Sequence, residues 1–268
     1  MIDVFLKFKT DKRPWHRIGC SLLLLLFSLS TASEGLTVAV ASNFRTPMQR
    51  LVGGFEQGSD HQVKLVVGSS GKLFAQVTHG APYDLLFSAD QKMPALLAAQ
   101  GLANAGSQFT YAVGGLVLWS GDSGRVDSQG RVLHSNDFFR LAIANPKIAP
   151  YGVAAVQVLQ RLGLYDQVEA RLVLGANIAQ TYQFVSSGNA QLGLVARSQV
   201  LRPGQLGDGS SGSAWVVPDH LYEPIRQDAI LLNRAIDNPA AAEFMDFIKG
   251  QQAGSIITAF GYQLDIPG

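Results

Sequence analysis

Leu36-Thr-Val-Ala-Val-Ala41, followed at once by Ser42-Asn-Phe-Arg-Thr-Pro-Met48, decides the fold. The first six residues form an unbroken apolar and β-branched run, which reads as a buried strand. Thr46 and Pro47 read as a helix cap and the favoured first helical residue, with Met48, Leu51, Val52 and Phe55 on one face of the helix that follows. The unit then recurs. Val63 to Val67 is a strand, and Leu73, Phe74 and Val77 mark a helix after Gly68-Ser-Ser-Gly71. Asp84 to Ser88 is a third strand, with a helix from Lys92 to Gln100.

Beyond residue 112 the pattern restarts with different spacing. Strands are predicted at Leu116 to Trp119, Leu141 to Ala144, Arg171 to Leu174, Gln191 to Ala196, Ala214 to Val217 and Ala229 to Leu232. One helix carries Val153, Val156, Leu159 and Leu162, a second starts at Ile178, and a last one from Pro239 places Phe244, Phe247 and Ile248 on one side. Gly204 to Ser213, rich in Gly and Ser, reads as a surface loop. Strands alternating with helices point to an α/β fold of two lobes, each a mainly parallel sheet flanked by helices, with a ligand cleft between them. The chain is expected to cross between lobes near Ala112 to Gly115 and Arg226 to Ala229. Residues 33–112 and 229–268 then form one lobe and 113–228 the other.

Residues 1–32 have the layout of an export signal. Lys7, Lys9, Lys12, Arg13 and Arg17 make a basic leader, Ile18 to Leu29 an apolar run with five consecutive leucines, and Ser30-Thr31-Ala32 a cleavage site. The run is short of the roughly 20 apolar residues that span a bilayer, and Cys20 lies at its start, before the five leucines, whereas a lipoprotein cysteine follows such a run. Cleavage near Ala32 and a periplasmic mature protein are expected. Without this segment 16 of the 21 basic and 18 of the 20 acidic residues remain, a net charge of −2 with His neutral, and the single cysteine is gone. Disulfides and thiolate metal sites are thereby excluded. A near-neutral chain without basic runs argues against nucleic acid, whose binding rests on many phosphate contacts.

Two strand-to-helix turns in the first block, Ser42-Asn43 and Gly68-Ser-Ser-Gly71, and two in the second, Asn145 to Gly152 and Gly175-Ala-Asn-Ile178, are candidate anion-binding turns. In open α/β sheets such turns line the crevice at the carboxyl ends of the strands. Helix N-termini present unpaired N–H groups and a positive dipole end there. Ser42 and Ser70 equally suit simple capping of their own helices, and Tyr151 suits either an inward hydroxyl or ordinary packing. Catalytic signatures are missing: there is no Gly-x-Ser-x-Gly, no His-Glu-x-x-His and no phosphate loop. His61, His79, His134 and His220 are scattered over turns and surfaces, and no cofactor or bare metal cation is expected.

Ala39-Val-Ala-Ser-Asn43, Val67-Gly-Ser-Ser-Gly71, Gly80-Ala-Pro-Tyr-Asp-Leu-Leu-Phe-Ser-Ala-Asp90, and Asn145-Pro followed by Pro150-Tyr-Gly152 resemble the molybdate-binding component of bacterial ABC transporters. The resemblance runs through Phe260-Gly-Tyr262. It implies a two-lobed periplasmic clamp that closes on molybdate or tungstate and delivers it to membrane permease subunits, as a monomer and not as an enzyme. It implies Ser42 and Ser70 as hydroxyl and amide donors, with backbone amides from Tyr151 and Ile178. A further donor in the family, a tyrosine in Gly-x-Val-Tyr, falls on Ala196 here. Some members lacking it carry an asparagine after the first serine or threonine and a tyrosine at the proline turn, which implies that Asn43 and Tyr151 replace the missing hydroxyl. Asp84 and Asp90 belong to the scaffold in that family. Competing readings are the same clamp for sulfate, phosphate or a small organic acid, a sensory binding domain, and a hydrolase.

Overall fold

The computed structural model describes residues 35–135, 137–200 and 212–265. The basic leader, the apolar run, Cys20 and the Gly/Ser-rich stretch up to residue 211 lie outside them. No helix among the described residues is long and apolar enough to cross a membrane.

Two five-stranded sheets form the architecture. The first half of the chain runs β1 (Gly35–Ala41), α1 (Arg45–Gln57), β2 (Gln62–Gly68), α2 (Ser70–Thr78), β3 (Leu85–Phe87), α3 (Lys92–Ala99) and β4 (Phe109–Gly114). The second runs β5 (Leu116–Ser120), β6 (Leu141–Ala144), α4 (Pro150–Arg161), α5 (Tyr165–Val168), β7 (Leu172–Gly175), α6 (Ile178–Ser186), β8 (Leu192–Ala196), α7 (Arg197–Val200) and β9 (Ser213–Val216). The chain then returns as β10 (Ile225–Leu231), α8 (Pro239–Lys249) and α9 (Gln251–Ala259). The strand orders are β2-β1-β3-β10-β4 and β7-β6-β8-β5-β9. In each, three strands are parallel and two are antiparallel neighbours. The antiparallel strands are those that enter or leave a crossing, where the chain turns back instead of looping over through a helix.

Strands change sheet at Gly114–Gly115 and again before Ile225, a few residues from the expected crossings. The return strand starts earlier than its apolar stretch because Gln227 and Asp228, polar residues that read as loop, are buried inside it. Phe109 to Gly114 is a strand where none was expected, and α9 was also not foreseen. Thr46 is not a cap: a 3-10 turn, Ser42–Phe44, leads directly into α1, so helical backbone starts at Ser42. Val153 is 44% exposed, and α4 instead buries Tyr151, Ala154, Ala155, Val158 and Leu159.

Aromatic packing fixes the first of these turns. Phe44 meets Tyr111 and Tyr262 edge-on at 4.7 and 5.1 Å, Phe87 meets Tyr111 at 5.1 Å, and Phe55 meets Phe244 at 5.0 Å. Such edge contacts add to the area that each ring buries. The turn carrying Ser42 and Asn43 is thus anchored by Phe44, which has no exposed surface.

In the second sheet the corresponding anchor is a close approach. Gly152, in the first turn of α4, sits where a Cβ would overlap the Ala144 carbonyl oxygen and lie 2.8 Å from the Pro146 nitrogen. Substituting Gly152→Ala is expected to cost about 1–3 kcal/mol, the range for forced overpacking, measured as a lowered urea midpoint for residues 33–268.

Candidate oxyanion-binding site

The ends of β1, β2, β6 and β7 converge, and with them the turns that start α1, α2, α4 and α6. Ser42, Asn43, Ser70, Tyr151 and Ile178, the five positions singled out in the sequence, line one small void with a cavity volume of about 10 Å³. Ser69, Ala89 and Ala149 complete much of its wall, and no charged residue lines it. Arg45, Lys72 and Lys147 stand outside this wall.

Local structure supplies the donors. Ser70, Pro150 and Ile178 are the first residues of α2, α4 and α6, and none of these helices has an acidic residue in its first turn. N–H groups in a first turn have no partner within their own helix, and the dipole adds positive potential at that end. At α6 the Asn177 side chain accepts the Gln180 N–H at 3.0 Å, which leaves the Ile178 and Ala179 N–H groups without a partner in the helix. Ser70 Oγ accepts the Ala89 N–H at 2.9 Å. With its acceptor side used, that hydroxyl keeps its proton for another partner. The arrangement suits a small group with several acceptor oxygens and no proton.

The Asn43 and Tyr151 side chains turn away from that task. Asn43 Nδ2 donates to Gln227 Oε1 at 2.8 Å and to the Tyr262 hydroxyl at 3.0 Å. Gln227 Nε2 donates to the Tyr151 hydroxyl at 3.4 Å. Tyr111 lies 3.2 Å from Gln227 Oε1 and 3.0 Å from the Ser88 carbonyl. Ser198 Oγ lies 2.9 Å from the Tyr262 hydroxyl, and both reach the Asn43 carbonyl, at 3.3 and 3.0 Å. Here the polar ends of both residues, which were expected to replace the missing family hydroxyl, bond within a buried network. Both residues line the void as well. Ala196, where that hydroxyl was missed, is wholly buried in the core of the second sheet.

The network joins Gln227, Tyr111 and Tyr262 on the first-sheet side to Tyr151 and Ser198 on the second. Burial pushes Tyr262 up to about 12, and Tyr111 and Tyr151 are also held well above the usual tyrosine range by burial. A backbone bond reinforces the junction: Gly71 N–H donates to the Ile148 carbonyl at 3.0 Å. A Cβ on Gly71 would stand 3.1 Å from both the Cα and the oxygen of Ile148, closer than the pair tolerates at rest.

Sequence reasoning missed Ser69, Gln227, Ser198 and Tyr262 as site residues. Gln227 had a signal, a polar side chain two residues before an apolar strand run, but Arg226-Gln-Asp228 reads as loop. Asp84 and Asp90 are scaffold. Asp84 accepts the Thr37 N–H at 2.6 Å and pairs with Arg234 at 3.4 Å, and Asp90 accepts the Met93 N–H at 2.7 Å. Burial raises the Asp90 carboxyl above its ordinary value. His61 pairs with Glu243 at 3.3 Å and does not line the void. Among the described residues there is no group of three or more His, Cys, Asp or Glu able to hold a metal ion.

Two α/β lobes meeting over a void lined by neutral donors define a solute-binding protein. The chain belongs to the bacterial extracellular solute-binding protein family, whose sequence profile matches residues 36–263. It is 50% identical over 240 residues to the molybdate-binding protein ModA of Azotobacter vinelandii, covering 90% of this chain and 94% of that one. It is 44% identical over 248 residues to the molybdate-binding protein ModA of Rhodobacter capsulatus, covering 92% and 96%. The solved periplasmic molybdate-binding protein of Azotobacter vinelandii superposes with a TM-score of 0.82 at 43% identity, over 86% of this chain and 100% of that one. The sulfate-binding protein SubI of Mycobacterium tuberculosis shares the fold, with a TM-score of 0.71 at 14% identity over 87% and 88%.

Two outcomes follow from the network. Gln227→Leu leaves the Tyr151 hydroxyl and one Asn43 proton without their partner and is expected to cost about 2 kcal/mol or more in urea unfolding. Tyr262 is held above the ordinary tyrosine value of 10.0, so the folded state binds that proton more tightly than the unfolded chain. Its contribution, on the order of 2 kcal/mol, is present in full below pH 10 and is lost as pH rises toward 12. Urea midpoints taken from pH 8 to pH 12 should fall across that window, and less steeply in Tyr262→Phe.

Proposed function

We propose that this chain is a periplasmic capture protein for molybdate or tungstate, working as a monomer and handing the ion to the permease subunits of an ABC transporter. The observation that carries the reading is the small void between the lobes, walled without charge at the start of three helices. The identity of half the residues with a molybdate-binding relative supports it. Export by residues 1–32, with cleavage near Ala32, belongs to the same proposal.

In this reading Ser42 and Ser70 donate hydroxyl and amide protons, and Asn43 contributes through its backbone amide, all from the first lobe. Tyr151 and Ile178 donate backbone amides from the second. Only the closed arrangement lets both sets reach one ion, so the ion shifts the population toward closure by the difference in its affinity for the two forms. Neutral donors hold a dianion without the desolvated ion pair that an arginine would impose. They also disfavour a ligand that carries a proton, whose O–H would meet donors instead of acceptors. Sulfate shares charge and shape with molybdate, so selection against it rests on size, set by how closely the four turns can approach. The site binds and releases; it has no group placed to make or break a bond.

Isothermal titration of residues 33–268 with molybdate, tungstate, sulfate and phosphate tests this. Tight one-to-one binding of molybdate and tungstate is expected, with sulfate and phosphate at least about a hundredfold weaker, which corresponds to roughly 2.7 kcal/mol. Preferential binding of sulfate or phosphate would reassign the ligand while keeping the clamp. No heat with any of the four would overturn the anion reading.

A further inference from the structure

Ser69 occupies the cap position of α2, with extended backbone. A serine there ordinarily accepts an N–H from the second or third helical residue. This one does not: its side chain makes no capping bond. Ser69 is 3% exposed, and its Oγ is buried without any hydrogen-bond partner. Buried hydroxyls in native structures are almost always satisfied, so each exception calls for a cause.

The other buried side-chain atoms without a partner among the described residues are His61 Nδ1 and Arg197 Nε. Neither residue lines the void between the lobes, and Ser69 does. Its polar neighbours there each have a partner. Ser70 Oγ takes the Ala89 N–H, the Asn43 carboxamide is held by Gln227 and Tyr262, and the Tyr151 hydroxyl faces Gln227. The void is therefore lined by one buried residue whose hydroxyl has nothing to bond.

We propose that Ser69 is a further ligand-contacting residue, whose Oγ–H donates to an oxygen of the bound oxyanion beside Ser42 and Ser70. The first lobe then supplies three hydroxyls from two adjacent turns, and the second lobe supplies backbone amides alone. Recognition is lopsided: side-chain chemistry selects the ion on one lobe, and the other lobe closes over it with groups that every sequence possesses. Ser69 also explains why its helix forgoes a side-chain cap, since the hydroxyl cannot serve both the helix and the ion. The inference rests on the anion reading above.

The test compares wild type and Ser69→Ala by titration with molybdate, alongside thermal unfolding of each without ligand. The expected result is an affinity loss of about tenfold or more, with ligand-free melting temperatures within about 2 °C, because no cap bond is removed. Equal affinities for the two proteins, with wild type binding tightly, would overturn the role of Ser69 and leave the anion reading intact. A lowered melting temperature with unchanged affinity would make Ser69 a helix cap and would equally overturn it. A wild type that binds none of the four anions would sink both. If Ser69→Ala does not yield folded protein, Ser69→Cys, a weaker donor of similar size, is read in the same way.

Discussion

One carboxamide ties the two lobes to each other. Gln227 lies on the return strand of the first sheet, with no exposed surface, and its two ends reach Asn43 and Tyr111 on one side and Tyr151 on the other. Taking a carboxamide out of water costs several kcal/mol unless its donors and acceptor are matched. Here matching requires both lobes at once. The position of Tyr151, and with it the start of α4, is therefore tied to the turn after β1. The site depends on that tie, because its donors are backbone groups whose aim is set by where the helices start.

A division of labour follows between side chains that build the site and groups that face the void. Asn43 and Tyr151 line the void, yet their polar ends also serve the junction. Phe44 and Gly152 act further back still. The ring of Phe44 anchors one turn from beneath, and the missing side chain of Gly152 lets α4 start tight against β6. A neutral site can be this small because no counter-charge has to be fitted into it.

Much of this was legible in the sequence. Strand and helix positions followed from apolar runs and 3.6-residue spacing, β6 and the start of α6 to the residue, and the five residues of the converging turns were named from motif and resemblance. What the sequence hid shares one cause. Gln227 and Asp228 are polar inside a strand, Phe109 to Gly114 alternates too weakly to stand out, and Ser42 starts a helix that Thr46 and Pro47 seemed to own. In each case a tertiary contact overrode the local signal. Side-chain direction was the other blind spot, since spacing placed Asn43 and Tyr151 at the site but could not say that Gln227 would claim their polar ends.

The hydrogen bond from Gly71 to Ile148 is made by main chain on both sides. Its demands on the two residues are unequal. At 148 the carbonyl accepts the bond whatever side chain is attached. At 71 an added carbon would stand against the opposing backbone, so one lobe carries the whole hereditary burden of a contact that both lobes use. A fold that seals itself in this way can vary its outer lip over evolutionary time while the seam itself stays fixed.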